Sequence, residues 1–205
     1  MNIKEQLESI NKKILLYNPT DWVHIKKNLE HNQQDYELWL LSQSIIPFLM
    51  KRNQFFYPKL EHSSENERLP DFYFWDNNSV EFPPWLYEMT EVCEFDKKNN
   101  SFLPIDEDGL FFKVEESINK KSKKSYRNPF WLIIAAPAVI SRFSIDKLIE
   151  MIKKNEDFGK PFQIIVFVAW TSEDVALLII VHQFSGNIYK YKVIDTGWDI
   201  TINEL

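Results

Sequence analysis

Two long apolar runs constrain the fold of this chain more than any other feature. The first, FWLIIAAPAV, covers residues 130–139, and the second, FQIIVFVAW, covers residues 162–170. Runs of this kind, with almost no polar residue, are typical of β-strands that are covered on both faces. Between them, Ser144 can cap a helix with a buried apolar stripe. The stripe comprises Ile145, Leu148, Ile149 and Ile152. The sequence therefore predicts a strand–helix–strand crossover in a mixed β-sheet.

Further helices and strands are predicted on both sides of this crossover. The expected helices cover 3–16, a short stretch from Thr20, 34–51 and 110–126. The expected strands cover 55–60, 70–75 and 85–95, and a closing hairpin covers 174–184 and 188–195. A loop over 99–109 is expected to end at Gly109, and the inner stripe of the following helix is Val114, Ser117, Ile118, Lys121 and Ser125. The predicted fold is α/β, with a mixed β-sheet flanked by helices.

Composition excludes several classes of function. The single cysteine, Cys93, cannot form an internal disulfide or a cysteine-based zinc cage. With only 4 glycines there is no glycine-rich phosphate loop, and no Gly-x-Ser-x-Gly elbow occurs. No apolar run is long enough to span a membrane, and the N-terminus lacks an apolar signal-peptide core, so we expect a cytoplasmic protein without a membrane partner.

Charge is distributed unevenly along the chain. The net charge is −6, from 24 basic and 30 acidic residues, and nucleic-acid-binding proteins usually show a basic surplus instead. Residues 113–127 nevertheless hold six bases and two acids, whereas acids dominate over 61–96. Each segment alone is most simply a solvated face. Together they place an acidic strand region before a basic helix.

Two carboxylates stand in apolar strand patterns within RLPDFYFWDNNSVEFPPWLYEMTEV, residues 68–92. Asp71 opens one strand, and Glu88 interrupts the next one on a face that it shares with Thr90. Burial disfavours the charged form of a carboxylate, so such acids need a partner. If the two strands pair through a turn near residues 77–79, Asp71 and Glu88 lie at the same end of the hairpin. A shared Mg²⁺ ion is the natural partner, because Mg²⁺ prefers oxygen ligands.

Pro70-Asp71 followed by Glu88-x-Thr90 on the next strand resembles the motif of the PD-(D/E)xK nuclease superfamily. The predicted order of helix, three strands, helix and strand over 34–136 is similar to that family's αβββαβ core, and INKKSKKSYRNPFWLIIA resembles its helix-then-strand segment. The resemblance implies one restriction-endonuclease-like domain over 1–205. Its parts would be an N-terminal helical extension (1–33), a nuclease-like core (34–136) and a C-terminal α/β extension (137–205) that ends in the β-hairpin.

The resemblance also implies an activity and roles for individual residues. Asp71 and Glu88 would hold Mg²⁺ or Mn²⁺ for hydrolysis of nucleic acid, DNA rather than RNA. Thr90 stands where the family has its lysine. Lys121, on the inner stripe of the following helix, would supply that charge instead. The supporting candidates are Lys120 and Lys124 in place of Lys121, and Glu37 or Glu30 as the glutamate of the first core helix.

A second hypothesis keeps the fold without the chemistry. Thr90 in place of lysine, and the negative net charge, favour a catalytically inactive protein that acts as an interaction, immunity or regulatory module with a protein partner. In that case Asp71 is an ordinary turn residue and Lys121 a surface lysine. Many nucleases of this fold act as dimers, so a homodimer is compatible with the resemblance.

Overall fold

The computed structural model describes twelve segments of the chain. They are residues 59–62, 72–75, 85–96, 98–99, 101–103, 105–123, 130–136, 143–153, 162–172, 175–182, 185–195 and 200–205. The strands are β1 (Lys59–His62), β2 (Phe72–Trp75), β3 (Trp85–Glu91), β4 (Phe95–Asp96), β5 (Ser101–Phe102), β6 (Phe130–Ala136), β7 (Phe162–Ser172), β8 (Val175–His182), β9 (Ile188–Asp195) and β10 (Ile200–Glu204). The helices are α1 (Glu107–Ser122) and α2 (Ile145–Lys153). The described part is therefore a mixed α/β fold.

The main sheet is open and mixed. Its strand order is β1-β2-β3-β6-β7-β8-β9-β10, and β4 and β5 form a separate two-stranded sheet. Strands β3, β6 and β7 run parallel, while the other neighbours in the main sheet pair antiparallel. The parallel strands are connected through α1 and α2, as the predicted crossover requires. Strands β2 and β3 pair antiparallel, as the predicted hairpin requires.

The core lies where the parallel strands meet the two helices. Leu132 and Ile134 of β6 pair with Ile165 and Phe167 of β7, and all four side chains are fully buried. The helices cover this face with Leu110, Val114, Ile118, Leu148, Ile149 and Ile152. The opposite face is buried too, as Ile133 at 0% exposure shows. The coverage of both faces explains why these two strands contain so few polar residues.

Helix α1 begins three residues earlier than predicted. The sequence pattern predicts that Gly109 ends a loop, but this residue lies in the first turn of the helix, where its N–H donates to Asp106 Oδ1 over 2.8 Å. Asp106 is thus the N-cap. A Cβ atom at position 109 would lie 2.9 Å from the same Asp106 oxygen, so glycine allows the capping carboxylate to approach closely. The helix ends at Ser122, short of the predicted 126.

One further boundary and two strands differ from the sequence interpretation. The strand predicted over 85–95 ends at Glu91, and the loop predicted over 99–109 contains β5, which pairs with β4. The closing hairpin is present with its turn at Gly186, whose φ of 68° is the left-handed conformation that glycine favours. Strand β10 was not predicted and pairs antiparallel with β9. The helices predicted over 3–16, from Thr20 and over 34–51 lie outside the described residues.

Neither α1 nor α2 combines the length and the apolar character needed to cross a membrane.

Candidate carboxylate–lysine site

Glu88 is a buried carboxylate at the middle of the sheet. It lies in β3, directly beside Leu132 of the parallel strand β6. Register partners in neighbouring strands present their side chains on the same face. Glu88 therefore points to the helix-covered face, where Leu132 belongs to the core. Its side chain is only 1% exposed. The structure therefore confirms that Glu88 is removed from water, which costs free energy for a charged carboxylate.

Lys121 brings the opposite charge to Glu88 from α1. Leu110, Val114 and Ile118 follow each other at intervals of four along the buried side of this helix. Lys121 comes three residues after Ile118 and so continues the same stripe. Its Nζ donates a hydrogen bond to Glu88 Oε1 and forms an ion pair with it. The Lys121 side chain is 15% exposed, so its stem lies along apolar neighbours while its charge serves the buried carboxylate.

The other predicted site residues are placed as follows. Thr90 is half-buried in β3, on the same face as Glu88, and pairs with Ile134 of β6. Lys120 is exposed on α1, away from the buried stripe. The remaining candidates, Asp71, Glu37, Glu30 and Lys124, lie outside the described residues. The structure thus brings together Glu88 and Lys121 of the predicted set.

A metal ion would need more ligands than the described residues bring together. Within the described segments there is no group of three or more histidine, cysteine, aspartate or glutamate residues that could hold a metal. Glu88 is chemically suited to Mg²⁺, because a carboxylate oxygen is the donor type that this ion prefers. The second predicted ligand, Asp71, is among the residues that are not described. Among the described residues, Glu88 is therefore the single candidate ligand at this site, and its carboxylate is already paired with the Lys121 ammonium.

The lysines of α1 do not form one uniform basic face. Lys113 pairs with Glu94, a partner that the sequence interpretation did not identify, and this hydrogen bond raises the pKa of the Lys113 ammonium. No spacing signal links the two residues, because Glu94 lies in the segment after β3 and the contact is tertiary. Glu107 and Asp108 occupy the first turn, and Lys120 and Lys121 occupy the last turn. Acids in the first turn and lysines in the last turn both interact favourably with the helix dipole.

Exposed positive charge is therefore concentrated at the C-terminal end of α1. Lys120 and the C-cap residue Lys123 are both exposed there, beside the turn that carries Lys121.

Cys93 is 7% exposed and belongs to the core cluster. It behaves as the small hydrophobe that the sequence predicted.

Comparisons of the chain with protein-family models, with curated proteins and with solved structures gave no match.

Proposed function

We propose that this chain is a metal-dependent phosphodiesterase of the PD-(D/E)xK type that acts on DNA. The observation that carries the proposal is the contact between Glu88, a fully buried carboxylate on a central strand, and Lys121, a lysine of the following helix. A buried ionisable group with a specific charge partner is a candidate for a functional-site residue. In the proposed fold, residues 34–136 form a restriction-endonuclease-like core. The order of the main-sheet strands β1, β2 and β3, followed by α1 and β6, supports this assignment, with the small β4–β5 sheet inserted before α1.

Asp71 is the proposed second carboxylate. Phe72 of β2 pairs with Tyr87 of β3, and Asp71 and Glu88 are the next residues along the two strands. An antiparallel ladder that continued by one step would set these two acids opposite each other on one face. Two adjacent carboxylates repel each other unless a cation offsets their charge. This register argument supports a shared metal ion.

The proposed roles follow from the chemistry of each group. Glu88 and Asp71 would hold Mg²⁺ or Mn²⁺, which when bound supplies an activated water and polarises a phosphate oxygen. Lys121 would offset the charge that develops on the phosphate. Thr90 carries no charge, so Lys121 would take the place of the strand lysine in the family motif.

The charge distribution favours a polyanionic substrate at the end of α1. Lys120 and Lys123 are exposed on the turn that carries Lys121, so they could contact backbone phosphates on either side of the scissile one. Contacts of this type give binding that weakens steeply with salt and reads little sequence. We propose DNA as the substrate rather than RNA.

Cleavage of supercoiled plasmid DNA in Mg²⁺ or Mn²⁺ tests the proposal. Glu88→Gln preserves the shape of the side chain but removes its charge, and it should abolish cleavage. Glu115→Gln, at an exposed position of α1, removes the same charge and should cleave like the wild-type protein. Equal cleavage by the two variants would show that Glu88 is not part of the site. An equimolar RNA substrate tests the choice of nucleic acid.

The alternative proposal is a nuclease-fold protein without catalysis that serves as an interaction, immunity or regulatory module. The same ion pair favours it in one respect, since a buried carboxylate that is neutralised by lysine is a complete structural arrangement. Under this alternative, purified protein leaves plasmid DNA intact at every metal concentration, and Glu88→Gln changes only stability.

A further inference from the structure

Strand β10 forms one outer edge of the main sheet, and β1 forms the other. β10 pairs antiparallel with β9, and within the described segments no strand lies on its outer side. Thr201, Asn203 and Glu204 are exposed. An edge strand presents a row of N–H and C=O groups that another strand can pair with. The outer side of β10 is therefore available for strand pairing.

The hydrogen bonds to β9 show which backbone groups of β10 face outward. The N–H of Leu205 donates to the carbonyl oxygen of Lys190 over 2.9 Å. Because backbone groups alternate sides along an antiparallel ladder, every second position before Leu205 also directs its N–H and C=O toward β9. Positions 200, 202 and 204 then direct theirs away from the sheet. These three positions form a row of donors and acceptors along the free edge.

The two edges of the sheet differ in the features that prevent strand pairing. Natural sheets commonly protect an edge strand with lysine and other charged residues or with proline. The sequence of β1 is KLEH, which has a charged or titratable residue at all positions but one, and Pro58 directly precedes it. The sequence of β10 is ITINE, which contains no lysine or proline and places its one charged residue last. The unprotected edge is therefore β10.

We propose that β10 pairs antiparallel with β10 of a second copy of this chain, so that the sheet continues across a two-fold axis at position 202. This register pairs the whole strand and sets position 200 opposite position 204. The charged residue, Glu204, then does not face its own copy, so no like charges lie directly opposite each other. Thr201 faces Asn203 of the second copy, and both are exposed polar residues. The same surface is used on both copies, so pairing occupies the edge and stops at the dimer.

Sedimentation equilibrium of the purified protein tests the inference, which does not depend on the proposed nuclease function. A contact of this small size is weak, so the wild type should dimerise with a dissociation constant in roughly the micromolar range. Glu204→Pro removes an N–H that faces outward and leaves the bonds to β9 in place, so it should abolish the dimer. Glu204→Ala keeps this N–H and should dimerise like the wild type.

Paired charge variants test the register without altering the backbone. Thr201→Glu with Asn203→Glu sets like charges opposite each other across the two-fold axis, whereas Thr201→Lys with Asn203→Glu sets opposite charges there. Both double variants share the change at position 203, which faces Lys192 of β9 within one chain. The dissociation constant of the first variant should exceed that of the second by about tenfold. The difference should shrink at high salt.

The contrary outcomes are distinct. A wild-type protein that is monomeric throughout the micromolar range would overturn the inference. A dimer that persists in Glu204→Pro, or equal dissociation constants for the two double variants, would show that the copies meet at another surface and would overturn it as well. If circular dichroism shows that Glu204→Pro does not fold, the comparison of the two double variants decides.

Discussion

The ion pair between Glu88 and Lys121 predicts a large and asymmetric effect on stability. Lys121→Met removes the ammonium while keeping an unbranched stem, and it leaves Glu88 charged at 1% exposure. Breaking a buried pair in this way costs about 3–5 kcal/mol, and we expect about 3 kcal/mol because Lys121 is itself 15% exposed. For a chain of 205 residues this lowers the unfolding midpoint by about 6–12 °C.

Removing the charge of Glu88 instead of Lys121 should destabilise the protein less. Glu88→Gln leaves a lysine near the end of α1 that can turn its charge into solvent, so we expect a loss of only about 1–2 kcal/mol. The double variant should be more stable than the sum of the two losses predicts, by about 1–3 kcal/mol. Urea denaturation followed by tryptophan fluorescence measures all three variants. Lys120→Met, at the exposed neighbouring position, is the matched control and should stay within about 0.5 kcal/mol of the wild type. Equal losses of stability in Lys121→Met and Lys120→Met would refute the contact between Lys121 and Glu88. So would a double variant whose loss equals the sum of the two single losses.

Two further predictions concern the frame around the site. Phe167→Ala removes a fully buried ring that packs edge-on against Phe143, with 5.6 Å between the ring centroids. It should lower the free energy of unfolding, measured by urea denaturation, by about 3–5 kcal/mol. The control Phe112→Ala, at a side chain that is 65% exposed, should change this free energy by less than about 0.5 kcal/mol. The pKa of Asp96 is held below its ordinary value, chiefly by the backbone N–H of Lys98, so its stabilising effect is complete above the unfolded pKa and is lost as pH falls through the lowered folded pKa. An NMR titration of the Asp96 carboxyl should therefore show a midpoint below that of an unstructured aspartate, and a midpoint at or above it would contradict the turn geometry.

The parts of the fold that the sequence predicted well are those that carry a local signal. The apolar runs of β6 and β7 are covered on both faces, and only strands so placed can omit polar residues over that length. The stripe of Val114, Ile118 and Lys121 follows from the helical repeat alone, and the first two are fully buried. The helical repeat therefore predicts that Lys121 points inward, although it does not identify Glu88 as its partner.

The features that the sequence missed depend on contacts between distant residues or on an ambiguous signal. Strand β10 is a short stretch of five residues whose strand conformation depends on its pairing with β9. The sequence interpretation ends a loop at Gly109 and begins the helix at Leu110, but Gly109 lies in the first turn of α1, close to the capping carboxylate of Asp106. The partner of Lys113, Glu94, comes from outside the helix, and no sequence period relates the two residues.

The presence of lysine on α1 rather than on β3 carries a physical consequence. A lysine at position 90 would lie on the same strand and face as Glu88, two residues away, and its backbone would be held by pairing with Ile134. Lys121 instead reaches Glu88 from the last turn of a helix, so the position of its ammonium depends on how α1 packs on the sheet. With threonine at position 90, the charge that faces Glu88 comes from α1 instead. The coupling free energy between Lys121→Met and Glu88→Gln measures how strongly this helix lysine and the carboxylate interact.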